Sequence, residues 1–277
     1  MILDKVFRKL PDFKGKQRAT RLIYGDYLKK ATDISITGTY GCKYLLPNLI
    51  ETIGFEIFIN GIYESDTHEF LLKRIPSNAI VLDLGANIGS IVIPICKRRK
   101  DLRVICVEAS PWVFEYLKKN VGQNGLTNIE IVNRAILDSD GKEIDFFGPT
   151  GKFGKGSLTP NYTNESVKVS TIRVDTLLKE RGIPKVDIVK IDIQGFEYFA
   201  FKGASELLQP ADAPDILFEF EDWAEREASG LAEGSAQKIL KEYGYDLYLL
   251  EKTKLARQNE IIVTGTHMLF ATKKKMD

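Results

Sequence analysis

The chain has 277 residues, of which 44% are hydrophobic, and a formal net charge of +1. This length suits one large α/β domain with an extension, and the balanced charge gives no electrostatic reason to expect a nucleic-acid partner. The three cysteines lack paired spacing and the two histidines lack ligand neighbours, so neither a disulfide framework nor a metal site is expected. No apolar run resembles a signal peptide or has the length of a membrane span, which predicts a cytoplasmic protein.

Residues 1–60 are predicted to form an amino-terminal α+β extension, and residues 61–277 the main domain. Within the extension we expect a helix over residues 17–31 and two strands, over residues 43–50 and 55–59. A turn signal at residues 60–61 follows, and we then expect a helix over residues 64–75 that leads into the main sheet.

The stretch over residues 81–89 is the most informative part of the chain. It is a short apolar run that contains Asp83 and is followed by Gly85 and Gly89. This pattern places the two glycines at a strand-to-helix turn, where a missing Cβ lets the backbone approach a ligand closely. The sequence therefore predicts a cofactor-binding turn, and the alternative is an ordinary α/β turn whose glycines serve packing.

The next apolar run, over residues 102–107, is followed by Glu108. A carboxylate at the carboxyl end of the neighbouring strand is placed to bind a ribose diol. The turn lacks the middle glycine of the dinucleotide fingerprint. The carboxylate of Asp83 also suits the ammonium and sulfonium of S-adenosylmethionine better than it suits a pyrophosphate. We therefore predict S-adenosylmethionine as the cofactor.

From residue 79 onward the predicted strands and helices alternate, which is typical of a doubly wound sheet. Residues 148–164 hold four glycines among polar residues, so we expect a loop that is either a lid over the site or an irregular connection. The helices are predicted over residues 88–96, 112–124, 175–180, 199–208 and 232–243, and the strands over 79–84, 102–107, 129–133, 144–147, 167–172, 186–191, 215–220, 245–250 and 268–272.

Several segments, taken in order, resemble the FkbM-type methyltransferases. The resemblance implies a Rossmann-like class-I methyltransferase fold with a mostly parallel seven-stranded sheet and an antiparallel last strand. It also implies S-adenosylmethionine as methyl donor and, as a rule, a hydroxyl acceptor. The family's acidic motif D-x-E-G-x-E has Gln194 in place of its middle acid, and an amide cannot take up a proton. The segments are residues 83–89, 107–108, 117–120 with 124–125, 133–136 and 189–197.

The residues expected to bind S-adenosylmethionine come from the turn and from the ends of the strands. The resemblance adds the segment that precedes the main sheet and the end of the third strand, which would flank the adenine. The complete set is Tyr63, Glu64, Asp83, Gly85, Ala86, Asn87, Gly89, Glu108, Ala109, Asn133, Arg134, Ala135 and Asp192.

Three residues are candidates for catalysis. Asp192 ends a predicted strand at the edge where ligands bind, where it would orient the donor or accept a proton, unless it only caps the next helix. Glu197 lies in the first turn of that helix, which an acid also stabilises. His68 titrates near neutral pH and would serve as a base, unless it is an ordinary helical histidine on the surface.

The leading hypothesis is S-adenosylmethionine-dependent O-methylation of a small-molecule or glycan-like acceptor. One alternative is a nicotinamide-dependent oxidoreductase on a similar fold. Another is a binding module that keeps the cofactor pocket without catalysis, suggested by Gln194. A base-specific N-methyltransferase is disfavoured because Asp192 is not followed by Pro-Pro and an aromatic residue. A divalent-cation site at Asp192, Glu219 and Glu221 is a further alternative, although the acids have no spacing signature of such a site.

Overall fold

The computed structural model describes residues 15–149, 151–161, 163–228 and 230–276. The described part of the chain begins with α1 (Lys16–Lys30), which confirms the first predicted helix. An antiparallel pair follows, formed by β1 (Thr32–Thr37) and β2 (Lys43–Asn48). The strand β1 was not expected from the sequence, whereas β2 was.

The strand predicted over residues 55–59 is wrong, because this apolar run lies inside the helix α2 (Thr52–Asn60). The Glu51 side chain accepts a hydrogen bond from the Ile53 backbone N–H at 2.8 Å and caps the helix. The helix ends at Gly61, which has a φ of 77°. Periodicity alone does not separate a short buried strand from a buried helix, and the cap decides here.

The main sheet confirms the predicted Rossmann-like class-I fold. Its strands are β3 (Ile80–Leu84), β4 (Arg103–Glu108), β5 (Ile129–Asn133), β9 (Ile188–Ile191), β10 (Asp215–Glu221), β11 (Asp246–Glu251), β12 (Lys254–Gln258) and β13 (Thr266–Thr272). Their order in the sheet is β12-β11-β13-β10-β9-β3-β4-β5, and β13 runs antiparallel to both of its neighbours. An eighth strand, β12, joins the seven expected ones through a two-residue hairpin in which Glu251 pairs with Lys254.

A separate three-stranded sheet with the order β6-β8-β7 follows β5. It consists of β6 (Ala135–Ile136), β7 (Glu143–Phe147) and β8 (Ser166–Ile172). The loop predicted over residues 148–164 connects β7 to β8. This small sheet therefore carries the loop to the carboxyl edge of the main sheet.

The helices pack on both faces of the main sheet. The helix predicted over residues 199–208 is divided in two, because the Asp175 carboxylate accepts the Glu206 and Leu207 N–H groups at 2.9 and 3.1 Å and starts a new helix. In the described ranges the other α-helices are α3 (Ser65–Arg74), α4 (Val92–Arg98), α5 (Pro111–Gln123), α6 (Val174–Glu180), α7 (Glu197–Lys202), α8 (Ser205–Leu208), α9 (Asp222–Glu227) and α10 (Ser235–Glu242).

The extension shares its hydrophobic core with the main sheet. Tyr44 and Leu46 of β2 are buried in the same cluster as Leu117 of α5 and Val104 of β4. The side chain of Asn120 accepts a hydrogen bond from the Leu45 N–H at 2.7 Å, which ties β2 to α5. The predicted boundary at residue 60 thus coincides with the end of α2, while the packing continues across it.

No α-helix within the described ranges combines the length and the apolar character that crossing a bilayer requires.

Candidate functional site

A cavity of about 240 Å³ opens at the carboxyl ends of the central parallel strands. It lies where the chain order reverses between β3 and β9, the position at which open α/β sheets bind ligands. Ten of the residues predicted to bind the cofactor line it: Tyr63, Glu64, Gly85, Ala86, Asn87, Glu108, Ala109, Arg134, Ala135 and Asp192.

The turn after β3 is held in place by its own backbone. The N–H groups of Gly85 and Ala86 both donate to the Val107 carbonyl, at 2.9 and 3.0 Å. Gly85 has a φ of 81°, and a Cβ there would overlap the carbonyl oxygen of Asp192. Only glycine satisfies both constraints, so Gly85 keeps the backbone of the turn against the end of β9.

Glu108 joins the turn to the end of β4. Its carboxylate accepts the Asn87 N–H at 2.9 Å and the Ser110 N–H at 2.8 Å. Burial raises the pKa of Glu108 to about 7, although these two hydrogen bonds favour the charged form. The Asn133 side chain donates to the carbonyls of Glu108 and Ala109 at 2.8 and 3.0 Å. Asn133 therefore supports the site from outside the cavity wall.

Lys190 is a central residue of the site that the sequence analysis did not single out. It is buried on β9, and its Nζ lies 3.5 Å from Asp83, 3.8 Å from Asp192 and 3.4 Å from the Gly85 carbonyl oxygen. Burial lowers the pKa of Lys190, but the surrounding carboxylates, with Asp83 first, more than offset this and raise it overall. A lysine inside a strand of otherwise apolar residues was the available signal.

Asp83 and Gly89 do not line the cavity. Asp83 is buried under the turn, where it faces Lys190 and not the open space. Gly89 has a φ of 84°, and a Cβ there would approach the Ile93 side chain to 2.6 Å, so its role lies in packing the start of the helix. Both residues support the turn from below.

Carboxyl groups gather at the other end of the cavity. Glu64, Asp192, Glu219 and Glu221 all line this end, which we call the acid cluster. Gln194 lines it as well, and its amide donates to Asp192 at 3.2 Å and to Glu219 at 3.3 Å. In place of a further acid, this side chain therefore bridges two carboxyl groups that would otherwise repel each other.

Two of the predicted catalytic residues lie outside the cavity. Glu197 is buried and accepts the Ile193 N–H at 2.8 Å, and burial raises its pKa to about 8. His68 is buried on α3, its ring stacked 5.8 Å from that of Tyr40. Burial first, and then the charge of Arg98, lowers the pKa of His68 to about 4. Glu197 lies close enough for its charge to act on Glu219 of the acid cluster, but neither Glu197 nor His68 reaches the open space, so neither is retained as a base.

The loop after β7 lies over the turn. The Asn87 side chain donates to the Phe153 carbonyl at 2.7 Å, and the Asn48 side chain donates to the Gly151 carbonyl at 2.8 Å. Glu51 and Ile53 of the extension also line the cavity. The described part of this loop therefore forms a wall of the site, as expected for a lid, and the extension supports it.

Among the described residues, no three histidine, cysteine or acidic side chains are arranged to hold a metal ion. The residues of the cavity do fit S-adenosylmethionine. A glycine cradle that a Cβ would fill stands beside a buried carboxylate at the end of β4, where the ribose would bind. The acid cluster offers negative charge to the cationic end of the molecule.

This sheet and this cavity are those of a Rossmann-like class-I fold with a cofactor pocket at the carboxyl ends of its parallel strands. Residues 83–247 match the family model described as the methyltransferase FkbM domain, which covers more than half of the chain. The chain belongs to this family, and its cofactor is S-adenosylmethionine. The predicted family and cofactor are thereby confirmed, and the assignment goes against the nicotinamide-dependent alternative.

Similar proteins include two curated methyltransferases. The chain is 29% identical over 147 residues to the hexuronic acid methyltransferase AglP of Haloferax volcanii. The matched stretch covers 53% of this chain and 58% of that protein. The chain is also 27% identical over 145 residues to the 2-O-methyltransferase NoeI of Sinorhizobium fredii, and this stretch covers 47% of this chain and 58% of that protein. The chain thus matches less than two thirds of the length of either relative.

Among solved structures, M. jannaschii TYW2 in complex with AdoMet is similar with a TM-score of 0.45. It shares 16% sequence identity, over 87% of this chain and 85% of that chain. The absence of a nucleic-acid partner and the cytoplasmic location, both expected from the sequence, stay predictions.

Proposed function

We propose that the protein transfers the methyl group of S-adenosylmethionine to a hydroxyl oxygen of a small, sugar-like acceptor. One observation carries the proposal: a single cavity joins the cofactor turn at Gly85 to the acid cluster at Asp192 and Glu219. Methylation of a hydroxyl needs a proton acceptor beside the donor, and carboxyl groups at this end supply one. The similar proteins AglP, a hexuronic acid methyltransferase, and NoeI, a 2-O-methyltransferase, support the same class of acceptor.

Each part of the cavity then has a task. Glu108 would bind the ribose hydroxyls, while Ala109, Arg134 and Ala135 would flank the adenine. The methionine end would lie between the turn and the segment of Tyr63 and Glu64, where the charge of Asp192 favours its ammonium group. When bound, S-adenosylmethionine supplies an activated methyl group, so the protein mainly has to orient the acceptor and remove its proton.

The loop after β7 has the task of excluding water. Phe153 is buried, and its carbonyl accepts a hydrogen bond from the Asn87 side chain of the turn. The loop therefore closes the cavity on the side where the donor would bind. A closed site strengthens the attraction between the carboxylates and the cationic donor, because the effective dielectric constant falls.

The test is a screen with S-adenosylmethionine labelled in its methyl group. The purified protein is incubated with sugars, sugar acids, polyols and a nucleic-acid pool, and the product is identified by mass spectrometry. We expect a methyl ether on a hydroxyl-bearing acceptor. Transfer to a base of the nucleic acid, or binding of the donor without transfer to any pool, contradicts the proposal, and the second result favours a binding module.

A further inference from the structure

Two carboxyl groups of the acid cluster compete for the role of base. Asp192 lies 3.8 Å from the buried ammonium of Lys190. This ion pair commits the Asp192 carboxylate to the buried ammonium. Glu219 accepts a hydrogen bond from the Gln194 amide at 3.3 Å, and Asp192 accepts one from the same amide at 3.2 Å. The two groups share a cavity and a hydrogen-bond donor, and the ion pair with Lys190 is what sets Asp192 apart.

The surroundings of Glu219 are mostly acidic. The charges of four other carboxyl groups act on it, one of them from its own strand β10. The buried ammonium of Lys190 on β9 opposes them, and Lys155 of the loop after β7 lines the same cavity and acts on Glu221. Burial first, and then these acids, raises the pKa of Glu219 well above its usual range. The acids are Asp192 after β9, Glu221 on β10, Glu64 before α3 and Glu197 at the start of α7.

We propose that Glu219, and not Asp192, accepts the proton of the acceptor hydroxyl, and that Glu219 gives up its resting proton when the cationic donor binds. This inference rests on the proposed function. In the transfer, the hydroxyl proton passes to the Glu219 carboxylate, and the oxygen lone pair forms the new C–O bond. The C–S bond breaks and its electron pair stays on sulfur. The sulfonium, the carboxylate and the neutral hydroxyl thereby become a thioether, a carboxylic acid and a methyl ether, all three neutral.

The proposal links the charge of Glu219 to the charge of the ligand. The sulfonium of S-adenosylmethionine favours the carboxylate form of Glu219, whereas the neutral thioether of S-adenosylhomocysteine does not. The base is therefore charged only while the donor is present, and it is protonated again in the product complex. Asp192, held beside Lys190, orients the donor.

Calorimetric titration in two buffers that differ in ionisation enthalpy measures this proton directly and needs no acceptor. At neutral pH, the wild type should release a proton on binding S-adenosylmethionine and release none on binding S-adenosylhomocysteine. Glu219→Gln should bind the donor without proton release, since glutamine still accepts the bond from Gln194. Asp192→Asn should bind the donor more weakly and retain the release. The exposed Glu242→Gln in α10 is the matched control and should behave as the wild type.

The outcomes distinguish a wrong base from a wrong function. Proton release that persists in Glu219→Gln overturns the assignment of the base, and its simultaneous loss in Asp192→Asn would assign the base to Asp192 instead. Donor binding without any release by the wild type overturns it as well, while the proposed function survives. Failure of the wild type to bind either compound overturns the proposed function itself.

Discussion

At the scale of single residues, Gly85 is the position where the fold leaves least freedom. Its φ is 81°, and a Cβ would overlap the carbonyl of Asp192. Gly85→Ala should therefore push the turn away from β9 and weaken the binding of S-adenosylmethionine by at least about tenfold, or 1.4 kcal/mol. Calorimetry measures the affinity and thermal melting the stability.

Gly122→Ala is the matched control for this substitution. Gly122 lies on the exposed side of α5 and has no neighbouring atom within 4 Å of an added Cβ. Alanine should stabilise the helix there by about 0.5–1 kcal/mol and leave the affinity for the donor unchanged. Equal donor affinity in both variants would show that the turn does not depend on glycine.

The stability of the folded protein should depend on pH through the buried carboxyl group of Glu197. The pKa of Glu197 is raised to about 8 by burial, so between its ordinary value near 4.5 and 8 the folded state holds a proton that the unfolded state has lost. Stability must then fall as the pH rises through this window, by as much as about 1.4 kcal/mol per pH unit. Glu197→Gln has no charge to bury and should remove this decline.

Thermal melting across the acidic to alkaline range measures the effect. The Glu197→Gln variant should melt close to the wild type in mild acid and above it in alkaline solution. Identical pH profiles for the two proteins would mean that Glu197 titrates normally in the folded state.

The sequence revealed the local features of the site and not the long-range ones. The turn at Gly85 and the acid Glu108 could be found because strand, glycine and carboxylate are neighbours in the chain. Lys190 could not be assigned a role because its partners Asp83 and Asp192 meet it only in the folded sheet. Which way His68 faces depends on how α3 packs, and a helical pattern does not contain that information.

At the scale of elements, the same distinction explains which helices and strands were predicted correctly. The central parallel strands are buried on both faces and read as nearly continuous apolar runs, so they were found nearly to the residue. The run in α2 is equally apolar, and the cap from Glu51 that makes it a helix is not a standard N-cap residue. The edge strand β12 is mostly exposed and lacks the apolar pattern that marks a strand.

The loop after β7 should open more often when its anchor in the extension is weakened. Asn48 is its anchor in the extension, because the side-chain amide donates to the Gly151 carbonyl and the side-chain oxygen accepts the Glu51 N–H. Asn48→Asp keeps the acceptor and loses the donor. A bond worth about 1.4 kcal/mol would make opening of the loop about tenfold more frequent. Limited proteolysis should therefore cut residues 148–161 correspondingly faster.

Asn128→Asp serves as the control for this change. The Asn128 amide also donates to a backbone carbonyl, that of Leu102, at 3.0 Å, but it does not line the cavity. Cleavage within residues 148–161 should stay at the wild-type rate in this variant. Unaltered cleavage in Asn48→Asp would indicate that the loop is held by its other contacts.

At the scale of the whole molecule, the extension and the main sheet are expected to unfold together. Leu46 of β2 is fully buried in the cluster that also contains residues of β3, β4 and α5. Leu46→Ala should cost about 2–5 kcal/mol and lower the melting temperature of the entire chain in one transition. A separate early transition, with donor binding preserved above it, would instead make the first sixty residues an independent unit.

Leu22→Ala is the control for that experiment. Leu22 lies on α1 and its side chain is 78% exposed, so its truncation leaves no cavity. The melting temperature should change little. The contrast between the two leucines measures how far the extension is part of the core, apart from any general effect of shortening a side chain.

Trp112 has a practical consequence. Its indole forms part of the cavity wall and is 43% exposed, while Trp223, the other tryptophan in the sequence, does not line the cavity. A purine that enters beside it should displace water from the ring and quench or shift its fluorescence. The protein therefore carries a natural optical reporter, with which occupancy can be followed in real time without a label.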